Sequence, residues 1–276
     1  MENEFTGERL ETFIFNANAI KHLHRYAIAS KLVKEKVVLD IASGEGYGSN
    51  MMSKYASFVY GVDIDYGTIK RAKSKYRKEN IKFLVGSTSN IPLEDKSIDF
   101  VISFETLEHH DEHECMLQEI KRVLRPNGVL IISTPDKHYY SDVRNYNNEF
   151  HVKELYKSEF KDLLKRYFLN YQILTQSYTS GNSIVLDEIN RSKMNFYTGD
   201  YASFNEIDSL PQFMIAISSD SSFEKQNNSI FDGYSILKKD SAYLNKIDHI
   251  YNSRSYKLGH LMLWPFKFLK RIIYHK

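Results

Sequence analysis

Val37-Val-Leu-Asp40-Ile-Ala-Ser-Gly44-Glu-Gly46-Tyr-Gly48-Ser49 is the stretch on which the fold turns. Val37 to Ile41 is a short apolar run interrupted by one acid, and it leads straight into glycines at every second position. An apolar run of that length reads as a strand covered on both faces, the situation of a parallel sheet. Glycines let the chain turn tightly and bring its backbone close to a ligand, and a helix starting just beyond them offers unpaired N–H groups. Taken alone, the stretch also suits a strand-to-helix turn with no binding role. A dinucleotide fingerprint requires a third glycine where Ser49 stands.

Outward from that loop the pattern alternates. SFVYGVD (57–63), IKFLVG (81–86), IDFVISF (98–104) and VLIIST (129–134) read as further strands. TIKRAKSKYRKE (68–79) reads as a helix with a basic outer face. HECMLQEIKRVL (113–124) reads as a helix with an apolar stripe of Met116, Leu117, Ile120, Val123 and Leu124, ended by Pro126, Asn127 and Gly128. Upstream, residues 17–33 carry apolar side chains at three- and four-residue spacing. Downstream, 153–168 is amphipathic, and YQILTQSY (171–178) and QFMIAIS (212–218) complete the strands. Strands alternating with helices specify a doubly wound α/β sheet. Three parts are expected: a helical cover (1–35), the sheet domain (36–218) with an inserted loop or lid at 179–210, and a linker with a tail (219–276).

Composition agrees. Hydrophobic residues at 42% and charged residues at 26% are ordinary globular values, and 276 residues suit one large core rather than two enzyme domains. No apolar run reaches the roughly eighteen residues of a membrane span. The acidic start lacks a signal pattern and the single cysteine, Cys115, suits a reducing compartment, so a cytoplasmic protein is expected. Cys115, beside an apolar stripe, is expected to be packed. Beyond Asp248 there are six basic residues and no acid, which leaves 31 basic against 35 acidic residues in the body. An acidic body disfavours nucleic acid as a partner.

VLDIASGEGYGS, VYGVDID, NIPLEDKSIDFVIS and EIKRVLRPNGVLIISTP, in that order over residues 20–218, resemble the class I S-adenosylmethionine (SAM)-dependent methyltransferases. The resemblance implies a Rossmann-like, mostly parallel seven-stranded sheet with its last strand antiparallel, here followed by a C-terminal amphipathic extension. It implies that Asp40, Ala42, Gly44 and Gly46 line the methionine part of SAM. Asp63 would accept hydrogen bonds from the ribose, Ile64 would lie against the adenine, and Phe104 would flank the cofactor. Ser87 stands where many relatives have an Asp that reads the adenine amino group, which leaves Ser87 or Thr88 for that contact. The leading helix usually covers the cofactor pocket, so Arg25 and Tyr26 are placed to reach the cofactor carboxylate or the acceptor, unless they only form a polar helix face.

Methyl transfer is an in-line displacement that needs alignment and, for a hydroxyl acceptor, a proton acceptor. Directly after the fourth strand comes Glu105-Thr-Leu-Glu108-His109-His110. On a helical turn positions 105, 108 and 109 share a face. Two carboxylates and an imidazole together suit a hard divalent cation, Mg²⁺ or Mn²⁺. The pattern also resembles metal-dependent O-methyltransferases of the ubiquinone pathway and of small-RNA termini, and in the latter a second histidine, here His151, completes the site. Glu105, Glu108, His109 and His151 are therefore expected metal ligands. Without metal, His109 would be the general base, helped by Glu105 or Glu108. A third reading has Glu108 and His109 merely capping the next helix. His110 and His113 are expected to be solvated, and Glu112 is misplaced for a zinc protease.

The tail from Tyr256 to Tyr274 is aromatic and cationic, suited either to an anionic membrane surface at the inner face or to packing on protein, including a second copy. Ser253-Arg-Ser-Tyr-Lys-Leu-Gly resembles tails on enzymes of bacterial surface-polysaccharide assembly. The expectation is a SAM-dependent O-methyltransferase acting on a sugar hydroxyl of a surface glycan or its precursor. Alternatives are a phenolic or quinone-like acceptor, an RNA terminal ribose, or a non-catalytic SAM-binding scaffold.

Overall fold

The computed structural model describes residues 12, 14–189, 194–208 and 210–253. Five parallel strands form its centre: β1 (Val37–Ile41), β2 (Phe58–Asp63), β3 (Ile81–Val85), β4 (Ile98–Phe104) and β5 (Leu124–Pro135). The chain moves outward from β1 to β2 and β3, then crosses to the other side of β1 for β4 and β5. The gap between the carboxyl ends of β1 and β4 is therefore the point where strand order reverses, the place where doubly wound sheets bind ligands.

Four strands extend the β5 side, each antiparallel to its neighbours: β6 (Asn170–Thr179), β7 (Asn182–Asp187), β10 (Phe213–Ser219) and β11 (Ser229–Asp232), of which β6 and β11 run in the direction of the central five. The full order is β11-β7-β6-β10-β5-β4-β1-β2-β3. The expected seven strands are present, and the sheet has nine. β7 lies within the expected 179–210 insertion and β11 within the expected linker. Both were hidden because a four- to six-residue strand with polar members has no distinctive period. The insertion also carries a separate hairpin, β8 (Phe196–Gly199) with β9 (Phe204–Ile207).

Helices cover both faces. α1 (Ala17–Leu32), whose Asn16 side chain accepts from the N–H groups of Asn18 and Ala19, and α2 (Tyr47–Met52) pack on one face. α4 (His113–Val123) and α5 (Lys157–Tyr167) cover the other, where Met116, Leu117, Ile120 and Phe160 are fully buried. Side-chain alternation along β1 serves both layers: Val38 joins the first cluster and Leu39 the second. α3 (Tyr66–Lys75) closes the β3 edge through Ile69, Ala72 and Phe83. α6 (Tyr234–Asn252) belongs to a second compact unit beginning at Tyr234, so the division falls at 233/234 rather than 218/219. The amphipathic tail beyond Ser253 lies outside the described residues, as does Gly7-Glu8-Arg9.

The two added strands also fix α1. His24, buried, bridges Ser183 on β7 and Ser229 on β11 at 3.0 Å each. Gln176 on β6 donates to the Lys21 carbonyl (3.0 Å) and to Ser183 Oγ (2.8 Å), and accepts from Arg25 Nε (2.7 Å). These contacts decide where the outer residues of α1 point.

Candidate active site

A cavity of about 780 Å³ opens at the carboxyl ends of the strands, over the β1–β4 gap. Its first end is built from the glycine loop and the ends of β2 and β3. Ala42, Ser43, Gly44, Asp63, Ile64, Ser87 and Thr88 line it, with Phe104 at the boundary. Ala42 (φ +58°) and Gly44 (φ +53°) adopt left-handed conformations, and for Ala42 this is an uncommon, mildly strained state of the kind found at binding loops. The Gly44 N–H donates to Asp63 Oδ2 at 2.9 Å, tying the loop to the end of β2. Ile64 is 71% exposed beside that buried carboxylate, an apolar plate next to an oxygen acceptor. Ser43 Oγ is buried without a hydrogen-bond partner among the described residues, and sequence reasoning missed it because a serine leading into a glycine turn looks like turn filler.

Two expected cofactor residues do not line the cavity. Asp40 lies beneath the loop, accepting from Ser49 Oγ (2.7 Å) and Tyr26 Oη (3.2 Å). Burial pushes its carboxyl up to about 6 against those two hydrogen bonds. Gly46 (φ +79°) faces the protein interior, and a Cβ there would stand 2.5 Å from the Phe83 ring. Both residues shape the loop from below. Tyr26 packs edge-on against Phe104 at 5.0 Å, so the tyrosine of α1 is a support under the first end.

The second end is built from side chains brought from four segments. Glu105 follows β4 with φ +52°, a strained conformation for a glutamate, so it diverges from the single 3-10 turn Leu107–His109 instead of sharing its face. Its Oε1 accepts from Ser133 Oγ (2.8 Å) and stands 3.0 Å from Arg25. Glu108 is 1% exposed, with Thr134 donating to Oε2 at 3.0 Å, and its backbone carbonyl accepts from Val152 and Lys153. Burial, reinforced by the Glu105 charge, holds its carboxyl well above the ordinary range. Neither Glu108 nor His109 caps α4, which is preceded by Glu112.

Glu108, His109 and His151 offer ligand atoms that all lie within 4.8 Å of one another. His109 Nδ1 is 3.0 Å from the Phe150 carbonyl, which makes Nδ1 the donor and leaves Nε2 with a free lone pair toward Glu108. His151 Nδ1 is 2.5 Å from Glu154, and its Nε2 accepts from Asn148 Nδ2 at 3.0 Å. Burial opposes ionisation of Glu154, but the His151 and Ser141 hydrogen bonds outweigh it and hold the carboxyl below the usual range. Orientation of an imidazole by a carboxylate or a carbonyl is the usual second layer of a metal site. The donor set fits a hard divalent cation in identity, with three ligands rather than the four expected, and His151 would exchange its Asn148 hydrogen bond at Nε2 for the ion. Glu105 is withdrawn from it by its backbone and by Arg25.

Tyr140 stacks on His151 (5.3 Å) and meets Phe213 (5.5 Å). Lys21 and Arg25, one turn apart on α1, lie over the Phe213 ring at 4.3 and 4.8 Å. Lys21 is buried, and its ammonium is lowered to about 8 by that burial and by Arg25. Two lesser expectations are corrected. His113 is buried, its Nε2 2.8 Å from the carbonyls of Leu107 and His110, rather than solvated. Cys115 is exposed rather than packed. His110 is half-buried on the cavity wall, with neither ring nitrogen hydrogen-bonded among the described residues.

Residues 39–132 match the family of methyltransferase domains. A Mycolicibacterium smegmatis protein described as a probable S-adenosylmethionine-dependent methyltransferase is 36% identical over 129 residues, 46% of this chain and 49% of that relative. The chain thus spans about half the length of the relative it matches. Among solved structures, the YcgJ protein of Bacillus subtilis superposes with a TM-score of 0.55 at 19% identity, covering 73% of this chain and all of that one. A SAM-dependent methyltransferase from Thermotoga maritima gives 0.53 at 18% identity, covering 74% of this chain and 91% of that one. The chain has the Rossmann-like fold of the SAM-dependent methyltransferases, with a methyltransferase domain matched over residues 39–132.

Proposed function

We propose that this protein is a SAM-dependent O-methyltransferase acting on a sugar hydroxyl of a cell-surface polysaccharide or its precursor, with a divalent cation at Glu108, His109 and His151. The convergence of those three side chains at the second end of the cavity carries the reading. The first end suits SAM: Asp63 can take the ribose hydroxyls, Ile64 the adenine face, and the loop from Ala42 to Gly44 the amino-acid part. Ser43 Oγ, buried and unpaired, is a ready partner for a polar atom there. At the second end, Tyr140, Tyr146, Asn148 and Gln212 combine aromatic faces with amide groups, a wall suited to a polyhydroxylated ring.

Catalysis then rests on alignment and on the hydroxyl proton. The end of β4 sets Phe104 against the cofactor end and Glu108 and His109 against the acceptor end, which fixes the line of attack. His109 Nε2, with its lone pair exposed by the Nδ1–Phe150 contact, can accept the hydroxyl proton. A bound Mg²⁺ or Mn²⁺ would instead polarise that hydroxyl as a Lewis acid, and would keep Glu108 ionised despite its burial. The two roles exclude each other at His109 Nε2. Calorimetry with S-adenosylhomocysteine (SAH) tests the cofactor, and mass spectrometry of surface glycans, with and without the gene, tests the acceptor by loss of one methylene. Full activity in excess chelator would remove the cation and leave His109 as base.

No helix among the described residues is long and apolar enough to cross a membrane. Contact of the basic tail with an anionic surface at the inner face, a cytoplasmic location and self-association remain parts of this proposal. Vesicle co-sedimentation and light scattering test them.

A further inference from the structure

Two buried cations at the second end have more positive charge than the protein supplies partners for. Lys21 is 8% exposed and lies over Phe213, with no hydrogen bond or ion pair to its ammonium among the described residues. Arg25 is 1% exposed. Its Nε is taken by Gln176, but among the described residues neither Nη1 nor Nη2 has a hydrogen-bond partner of good geometry, and Glu105 is the carboxylate that pairs with it. Arg144, exposed at the same mouth, lies over the rings of Tyr140 and Tyr146 at 5.3 and 4.9 Å. Burying a charge without a partner is costly, so such groups are normally paired.

We infer that Lys21, with Arg25 and Arg144, forms an oxyanion-binding subsite that holds a carboxylate or phosphate carried by the methyl acceptor. The acceptor is therefore an acidic sugar or a sugar phosphate rather than a neutral glycan. The inference rests on the methyl-transfer reading of the cavity and specifies its substrate class. Position separates this subsite from the carboxylate of the cofactor. Lys21 and Arg25 meet the ring of Phe213, which continues through Tyr140 to His151, the acceptor wall. On the same helix, Tyr26 turns the other way, to Asp40 and Phe104 beneath the cofactor end. Hydrogen bonds between charged partners are the strong ones, and the Lys21 ammonium and the exposed Arg144 guanidinium can donate to the anion directly. Arg25, buried against Gln176 and Glu105, adds positive charge beside them.

The test is calorimetric titration of the full chain, saturated with SAH and again without it, using inorganic phosphate, methyl glucuronoside and neutral methyl glucoside. Saturable binding of phosphate or glucuronoside, at least about tenfold tighter than glucoside, is expected with SAH present. The tighter of the two anions identifies the group that the acceptor carries. Lys21→Met should weaken that anion about tenfold or more while SAH affinity stays within about twofold, and Lys21→Arg should restore most of it. Arg144→Gln, at an exposed position, should weaken the anion several-fold while the thermal unfolding midpoint stays close to that of the wild type. Failure of both anions to saturate overturns the inference. So does glucoside binding as tightly as glucuronoside, or a Lys21→Met loss that falls equally on SAH. If wild-type protein ignores SAH, the methyl-transfer reading fails, and the titration without SAH still decides whether Lys21 holds an oxyanion.

Discussion

The two ends of the cavity are made differently. The first is drawn from residues 42–104, a contiguous stretch in which the backbone does most of the shaping: left-handed Ala42 and Gly44, and an Asp63 that anchors the loop. The second draws side chains from α1, from the residues after β4, from 140–151 and from the start of β10. Loop geometry that any SAM-binding protein of this fold needs can be encoded locally. Acceptor recognition has to be assembled from charges and rings that are distant in sequence. Substitutions should therefore separate the ends: second-end changes should alter turnover or acceptor affinity, and first-end changes loop stability or cofactor affinity.

The largest effect is expected at Glu108 and His109. Glu108→Gln or His109→Ala should lower kcat about 10²–10⁴-fold, the range for removing a positioned acid–base group, with SAH affinity within about twofold. An equal loss of SAH binding by calorimetry would erase the division. Next is the pH dependence contributed by Asp40. Its carboxyl is raised from 3.8 to about 6 in the folded protein, so the folded state holds the proton more tightly than the unfolded chain. Stability from this group is complete below pH 4 and falls as pH rises toward 6, by about 3 kcal/mol in all. Between pH 4 and 7 urea unfolding should show a change in stability that differs between wild type and Asp40→Asn by about that amount, the remaining pH dependence coming from groups such as Glu108.

A smaller effect is expected one layer behind the triad. Glu154→Gln removes the carboxylate that orients His151, and should weaken Mn²⁺ binding about 10–100-fold by calorimetry without touching SAH. An unchanged Mn²⁺ affinity would remove His151 from the cation site. Smallest is Ser87→Asp, which restores an acceptor for the adenine amino group at the first end. One added hydrogen bond of about 1 kcal/mol predicts roughly fivefold tighter SAH. A weaker complex would mean that Ser87 does not face the adenine.

Much of the parallel half could be read from residue patterns. β1, β2 and β4 are apolar runs bounded by turn residues, and their ends fall within a residue of expectation. β7 and β11 escaped because Asn182, Ser183, Ser229 and Asp232 break any period. In β7 only Ile184, Val185 and Leu186 form an apolar run, too short to declare a strand, and β11 is half exposed and is placed by its pairing with β7. Glu105 was grouped with Glu108 and His109 by helical spacing, yet its left-handed φ precedes the turn and sends it to Arg25. Spacing arguments presume regular backbone, and strained residues at sites are where that presumption fails.

The order of strands and helices through β5, the glycine loop and the acidic-histidine cluster after β4 were determined by the sequence alone, because each depends on near neighbours in the chain. Only the tertiary structure decided that Asp40 and Gly46 support the loop from beneath, that Glu105 leaves the expected cluster for Arg25, and that Lys21 and Arg25 face the acceptor wall. The placement of Lys21 and Arg25 depends on hydrogen bonds between α1 and Gln176, Ser183 and Ser229, residues more than 150 positions away. No local pattern records a contact of that range, since its position is set by how the sheet edge packs on the helix.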